Sequence, residues 1–333
     1  MESTLLQVLK HENTSFVPVI LTGAACAAKL AGSSLEAMRQ SAEEMVRVQA
    51  EFQKTTGMDF VIIYSDAYYL TEVMGCEVVI GDSGPTVKEF IPYDKVLEIG
   101  AVDFYAVPSC KVILDSIELA AARTPDLPIA VLFEGSFTTA TRMFGTEDVL
   151  MNLIMDPAKV KGCLEVITRV LSEFSTEAQK RGATLIYMPD PMSSRNMISP
   201  DHYLEFAQPY QKNLFAHIRS LGLASILHVC GNTKDRWPQM ADTGADALSL
   251  DQVVDLRDVR EVLGPTAVIA GNVDPIGTML RGDPEKVKLE AKQSYERGGA
   301  DNFILMPGCG TPPGTPVENL RALVQSAREW RKA

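Results

Sequence analysis

Eight short apolar runs, interleaved with amphipathic helical stretches, constrain this chain more than any other feature. They are VPVIL (17–21), DFVIIY (59–64), IAVLFEG (129–135), TLIYMPD (184–190), SILHVC (225–230), ALSLD (247–251), AVIAGN (267–272) and NFILMPG (302–308). Runs that are apolar nearly throughout, rather than alternating, predict strands buried on both faces, as in a parallel sheet covered by helices. Eight such strand-helix units predict an α/β protein with a closed (β/α)8 TIM barrel. An open doubly wound sheet would alternate in the same way. Some of its families carry a G-x-G-x-x-G turn, which is missing here, and the strand count favours the barrel.

A length of 333 residues suits one barrel domain over residues 1–333, and 46% hydrophobic content supplies its core. Helix starts are well punctuated. Asp156 and Asp283 each precede a proline, and Thr315, Pro316 and Glu318 fit the N-cap, N1 and N3 positions of a capping box. Between the second and third runs, CEVVIGDSGPTVKEFIPY places two β-rich segments around a Gly-Asp-Ser-Gly turn. This predicts a hairpin inserted after the second strand.

Charge and hydropathy exclude several partners. With 31 Lys and Arg against 43 Asp and Glu, the net charge is −12 and no basic run exists, so nucleic acid is not expected as a partner. No apolar run approaches the roughly 20 residues needed to span a bilayer, so no membrane partner is expected. The opening MESTLLQVLKHENTSF lacks the basic segment of an export signal. The six cysteines, at 26, 76, 110, 163, 230 and 309, form no compact disulfide framework. A cytoplasmic location with reduced thiols is the expectation.

Barrel enzymes carry their chemistry at the C-terminal ends of the strands. There the sequence places Glu134, Asp190, His228 with Cys230, Asp251, Asn272 with Asp274, and Cys309. His228 and Cys230 are two residues apart on a strand, so they face the same side with Cα atoms about 6.5 Å apart. A lone buried cysteine usually serves as a small hydrophobe, and a lone core histidine as a satisfied hydrogen-bonding group. The coincidence of H-x-C at one strand end with a glycine-flanked cysteine at another points instead to a metal. Zinc takes nitrogen at about 2.0 Å and thiolate sulfur at about 2.3 Å, and three protein ligands leave the fourth position open for chemistry. That open position argues against a zinc-stabilised scaffold without activity.

Two thiolates neutralise the charge of Zn²⁺, which makes the set a poor generator of hydroxide. A substrate thiol at the fourth position would be deprotonated outright, so alkylation of a thiolate is the expected reaction. Asp251 is the candidate catalytic carboxylate, with two roles open to it: accepting the second imidazole N–H of His228, or holding the fourth zinc position until substrate displaces it. Asp190, between two prolines, reads as a turn residue or as a substrate contact. Asn272 and Asp274 are further substrate-binding candidates.

LHVCGNT, GADALSLDQVVDLRD, GNVDPIGTML and MPGCGTPPGTPVENLRALV resemble the methylcobamide:coenzyme M methyltransferases, a branch of the uroporphyrinogen decarboxylase superfamily. The likeness extends over SPDHYLEFAQPYQKNL and FEGSFTTATRMFG, and more loosely over the N-terminal third. It implies a (β/α)8 fold of the uroporphyrinogen decarboxylase type, with zinc on His228, Cys230 and Cys309 and Asp251 where the family places a further acidic ligand. It also implies methyl transfer from a methylcobamide, carried by a small corrinoid-binding partner protein, to a small-molecule thiol such as coenzyme M. Coenzyme M's sulfonate would need a cationic partner; Arg142 and Lys234, near expected loop ends, are candidates for it or ordinary solvated side chains. The rival reading, a decarboxylase, requires an R-Q-A-G-R segment, and the corresponding LTGAACAAKL has no arginine. Corrinoid-linked enzymes that draw the methyl group from an aryl methyl ether or a methylamine are the alternative within the same superfamily.

Overall fold

The apolar runs become strands wherever backbone pairing on both sides and helices on the outer face bury them together. In the computed structural model, which describes residues 3–81 and 84–330, the strands are Val61–Ile63 (β1), Val78–Gly81 (β2), Gly84–Val87 (β3), Ile129–Leu132 (β4), Leu185–Pro189 (β5), Ala224–Val229 (β6), Ala247–Leu250 (β7), Ile269–Val273 (β8) and Phe303–Pro307 (β9). Seven of them form one parallel sheet in the order β1-β4-β5-β6-β7-β8-β9. The first run, 17–21, supplies the eighth position through a single bridge. Ile20 N–H donates to the Leu305 carbonyl at 3.0 Å, Leu305 N–H donates to Pro18 at 2.9 Å, and Asp59 N–H reaches the Val19 carbonyl at 3.2 Å. The sheet therefore closes between β9 and the approach to β1.

This seam carries a side-chain staple where regular pairing is thin. Asp59 accepts the Val19 N–H at 2.6 Å through one carboxylate oxygen and Arg328 at 2.7 Å through the other. A backbone N–H left unpaired at a buried seam costs roughly 1–3 kcal/mol, so the carboxylate does here what a neighbouring strand does elsewhere.

Side-chain direction follows the alternation of the strands. Phe133 meets Phe174 of the covering helix Pro157–Lys180 edge-on at 5.8 Å, so it points outward. Its neighbours Leu132 and Glu134 consequently face the barrel axis. On β5, β7 and β9, Tyr187, Ser249 and Met306 share an inner layer: the Tyr187 hydroxyl lies 3.2 Å from Ser249 Oγ, which donates to the Met306 sulfur at 3.3 Å.

Helix starts divide into two cases. Asp156 and Asp283 cap their helices, accepting from Lys159 N–H at 3.2 Å and Lys286 N–H at 2.8 Å, with Pro157 and Pro284 next in line. Thr315 does not cap. Pro316 stays extended at φ −58° and ψ 136°, the last helix runs from Val317 to Glu329, and the Thr315 hydroxyl donates to the Pro312 carbonyl at 2.8 Å instead. The capping box expected there is one residue out of phase with the helix. β2 and β3 pair antiparallel between β1 and β4. Asp82 and Ser83 of the expected Gly-Asp-Ser-Gly turn lie outside the described residues. Among the described residues no helix is long and apolar enough to cross a membrane.

Candidate metal centre at the barrel mouth

β6 delivers His228 to the mouth opposite Ser249 of β7 in the strand register. The chain then turns at Gly231, whose φ of 74° suits a residue without a side chain. The turn leaves Cys230 beside the histidine, with His228 Nε2 at 3.0 Å from Cys230 Sγ. Cys309 arrives from the loop after β9, its sulfur 3.7 Å from that of Cys230. The three ligand atoms all lie within 4.8 Å of one another. One nitrogen and two sulfurs at that spacing suit a borderline-soft, tetrahedral ion such as zinc, and three protein donors leave one position for a substrate.

Both cysteines are held by the backbone around them. Gly308 approaches Gln252 so closely that a Cβ would sit 2.3 Å from the Gln252 nitrogen, and its own N–H donates to the Val273 carbonyl at 2.8 Å. On the other side, Thr311 N–H donates to the Thr22 carbonyl at 2.6 Å. The Cys309 loop is thus clamped between the ends of β7 and β8 and the first run. Residues 231 and 251 brace Cys230 in the same manner: Asp251 accepts the Gly231 N–H at 2.7 Å and the Val253 N–H at 3.1 Å.

The role expected of Asp251 toward His228 belongs to another residue. His228 Nδ1 lies 2.9 Å from Ser249 Oγ and 3.3 Å from the Ser249 carbonyl. Because the Ser249 hydroxyl donates to Met306, it accepts from Nδ1–H, and Nε2 keeps its lone pair for the cysteines' side of the site. Tyr187 lies nearly parallel to the imidazole, 23° between planes with ring centres 6.2 Å apart. A serine inside the apolar run ALSL, on its inward face, was the available signal for this contact.

The remaining candidates fasten loops. Asp190 is fully buried and accepts from Thr138 N–H at 2.9 Å, Thr138 Oγ1 at 2.6 Å and Gln211 Nε2 at 2.7 Å, which ties β5 to the helix Ser136–Phe144. Burial raises its carboxyl above the usual range, and these bonds oppose the shift. Asn272 donates to the carbonyls of Asp251 at 3.0 Å and Val254 at 2.7 Å. Asp274 caps the turn after β8, accepting from Ile276 and Gly277 N–H at 2.8 and 2.9 Å. None of the three belongs to the ligand cluster. Lys234 is exposed and paired with Asp258 at 2.6 Å. Arg142 grips Glu134 with two bonds, Nε to Oε2 at 3.2 Å and Nη2 to Oε1 at 3.1 Å.

Without metal, the thiol pair holds one negative charge. The hydrogen bond from Cys230 pulls the Cys309 thiol down to about 4 against the effect of burial. Cys230 moves the other way, because its proton is donated to Cys309 and its sulfur is buried. One proton leaves easily and the second with difficulty. Since metal ligation requires thiolates, the site is half prepared for a cation before one arrives.

Residues 1–330 match the family described as uroporphyrinogen decarboxylase (URO-D). The chain is 29% identical to the methylcobamide:CoM methyltransferase MtaA of Methanosarcina barkeri, over 99% of this chain and 98% of that protein. It is also 29% identical to a methylated-thiol:coenzyme M methyltransferase of Methanosarcina mazei, over 78% of this chain and 69% of that protein. Among solved structures it is similar to a methyltransferase from Methanosarcina mazei, with a TM-score of 0.87, 27% identity, and 98% and 97% of the two chains covered. The α/β barrel, its unbroken match to the family and its full-length likeness to the methylcobamide:CoM methyltransferase and the Methanosarcina structure agree, and the chain belongs to the uroporphyrinogen decarboxylase (URO-D) family.

Proposed function

We propose that this protein is a zinc-dependent methyltransferase that moves a methyl group from a methylcobamide, presented by a corrinoid-carrying partner protein, to a small thiol. The observation that carries the reading is the convergence of His228, Cys230 and Cys309 at the catalytic end of a barrel whose full-length relatives are named methylcobamide:CoM methyltransferases. Zinc held there would keep the acceptor sulfur deprotonated and nucleophilic near neutral pH.

The rest of the chemistry falls to the chain. Ser249 fixes the tautomer and plane of His228, and Asp251 and Gly308 fix the two cysteine loops. Two protein thiolates would balance a divalent cation held there, so an acceptor thiolate at the open position would keep net negative charge and stay electron-rich. In the transfer, a sulfur lone pair forms the bond to the methyl carbon while the cobalt–carbon bond breaks. Both electrons of that bond remain on cobalt, Co(III) becomes Co(I), and a thioether leaves. No group on the protein needs to supply or remove a proton once the sulfur is ionised.

A tetrapyrrole substrate finds less support. The helix Ala24–Leu30, in the segment where a decarboxylase would need its arginines, has Lys29 as its single cation. The test is incubation of the zinc-loaded protein with free methylcobalamin and a thiol, followed by absorbance. Loss of the methyl–cobalt spectrum with appearance of thioether is expected, and uroporphyrinogen should be returned unchanged. Decarboxylated porphyrin in the second incubation would replace this reading.

A further inference from the structure

Across the mouth from the ligand cluster stands a second polar group that the methyl transfer itself does not use. Glu134 ends the β4 run with its side chain toward the axis, 9% exposed, and Arg142 reaches back from the helix Ser136–Phe144 to hold it by two bonds. The guanidinium lies over the Tyr68 ring, 5.2 Å from its centre, and is 37% exposed. Its Nη1 takes no hydrogen bond among the described residues, and each Glu134 oxygen accepts one bond from Arg142 and so keeps a free lone pair. In the sheet order a single strand, β5, separates β4 from β6, so Glu134 and the ligand pair of β6 end at the same mouth of the barrel. A molecule that rests its thiol among the ligands of β6 and β9 has the Glu134–Arg142 pair within the same mouth for its other end.

The charge balance of that wall selects what the other end can be. Arg142 is already neutralised by Glu134, and the nearby Asp66 is itself paired with Arg39 at 2.5 Å, so the wall offers no unpaired cation to an anion. A tail bearing only an anion gains one hydrogen-bonding edge of Arg142 and meets the repulsion of Glu134. A tail bearing only an ammonium gains Glu134 and meets Arg142. A tail carrying both charges on one carbon satisfies the free Nη1 with its carboxylate and the free lone pairs of Glu134 with its ammonium. Resting on the methyl-transfer reading above, we propose that the Glu134–Arg142 pair is the recognition site for the amphoteric end of an α-amino-acid thiol, which is then the acceptor this chain prefers over a purely anionic thiol.

Calorimetric titration of the zinc-loaded protein with L-homocysteine, cysteamine, 3-mercaptopropionate and coenzyme M separates these cases, and each thiol is then tried as acceptor from free methylcobalamin. Homocysteine should bind at least about tenfold more tightly than the three singly charged thiols, the loss expected when a charge-assisted hydrogen bond goes unmade. Glu134→Gln keeps the shape and removes the charge, so it should move the preference toward 3-mercaptopropionate and coenzyme M. Arg142→Gln should move it toward cysteamine. A purely structural role for the pair would weaken all four thiols alike, and that pattern, or coenzyme M as the tightest ligand of the unaltered protein, overturns the proposal. If either variant fails to fold by circular dichroism, the ranking on the unaltered protein decides alone. Methylcobalamin consumed with a flat ranking would remove the recognition site and leave the methyl transfer standing. The expected ranking with methylcobalamin untouched would do the reverse.

Discussion

Cys230 and Cys309, 79 positions apart in the chain, hold their sulfurs 3.7 Å apart at the mouth of the barrel. No disulfide joins them; both are free and partly exposed, while Cys26, Cys76, Cys110 and Cys163 are buried. The fold brings together the two accessible thiols of the described chain and sets an imidazole beside them. Selective chemistry at this pair follows.

Iodoacetamide should distinguish the six cysteines in metal-free protein. The depressed Cys309 thiol is ionised at pH 6, whereas burial pushes Cys26 up to about 11 and Cys76 and Cys163 up to about 12. Mass spectrometry after brief alkylation at pH 6 is expected to find the label on Cys309, and added zinc should suppress it. The same shift has a sign for stability. A thiol with a folded value near 4 against an ordinary value near 9 contributes stability that is complete above 9 and is lost as pH falls toward 4. The melting temperature of metal-free protein should therefore fall from pH 8 to pH 5 more steeply than that of a Cys309→Ala variant.

Ser249→Ala tests the orientation of His228. It removes the hydroxyl 2.9 Å from Nδ1 but leaves the three ligands in place. Loss of such an outer partner typically costs about 10- to 100-fold in metal affinity. Competition with a chromophoric chelator should show that loss, while the circular dichroism of the barrel stays unchanged. Asp251→Asn, which leaves the imidazole contact intact, should cost less zinc affinity than Ser249→Ala.

Gly308→Ala should displace the Cys309 loop without touching a ligand. The added methyl would meet the Gln252 backbone nitrogen at 2.3 Å, and backbone cannot give way as a side-chain tip can. Reduced zinc content in a folded protein is the expected result, measured by atomic absorption on a monodisperse sample. Gly310→Ala is the control on the far side of the cysteine, where a methyl meets open space, and it should keep its zinc.

Much of this was legible in the sequence, for reasons that also mark where legibility stops. Strands buried on both faces announce themselves as unbroken apolar runs, and seven of the eight runs pair as regular strands. The run at 17–21 reads as strongly as the others yet makes one bridge, because its partners at the seam include the Asp59 side chain, which no hydropathy pattern reports. The convergence of His228, Cys230 and Cys309 was foreseeable because imidazole and thiol groups at strand ends are chemically unusual. Asp190, Asn272 and Asp274 could not be sorted by the same logic. A strand's C-terminal end is also where the next loop or helix starts, and carboxylates and amides there satisfy loose N–H and C=O groups as readily as they bind substrate. Ser249 went unread because its role depends on the register between β6 and β7. The pairing of Glu134 with Arg142 arises from a helix folding back over the strand that precedes it.

Cys309→Ala addresses the ligand set itself. The residue lies in a loop beyond β9, and losing one small side chain there should cost about 1 kcal/mol of stability. With His228 and Cys230 alone remaining, zinc should be held weakly and methyl transfer should be lost. Cys26→Ala, in the helix Ala24–Leu30, should retain both metal and activity.

The most direct measurement on the central claim is proton release when a thiol binds to the zinc-loaded protein. A thiol that enters the open position beside His228, Cys230 and Cys309 must give up its proton. Calorimetric titrations near neutral pH in buffers of different ionisation enthalpy should report release of about one proton for each thiol bound, and none when the titrant is the S-methylated thioether. Thiol binding without proton release would contradict activation of the acceptor at this centre.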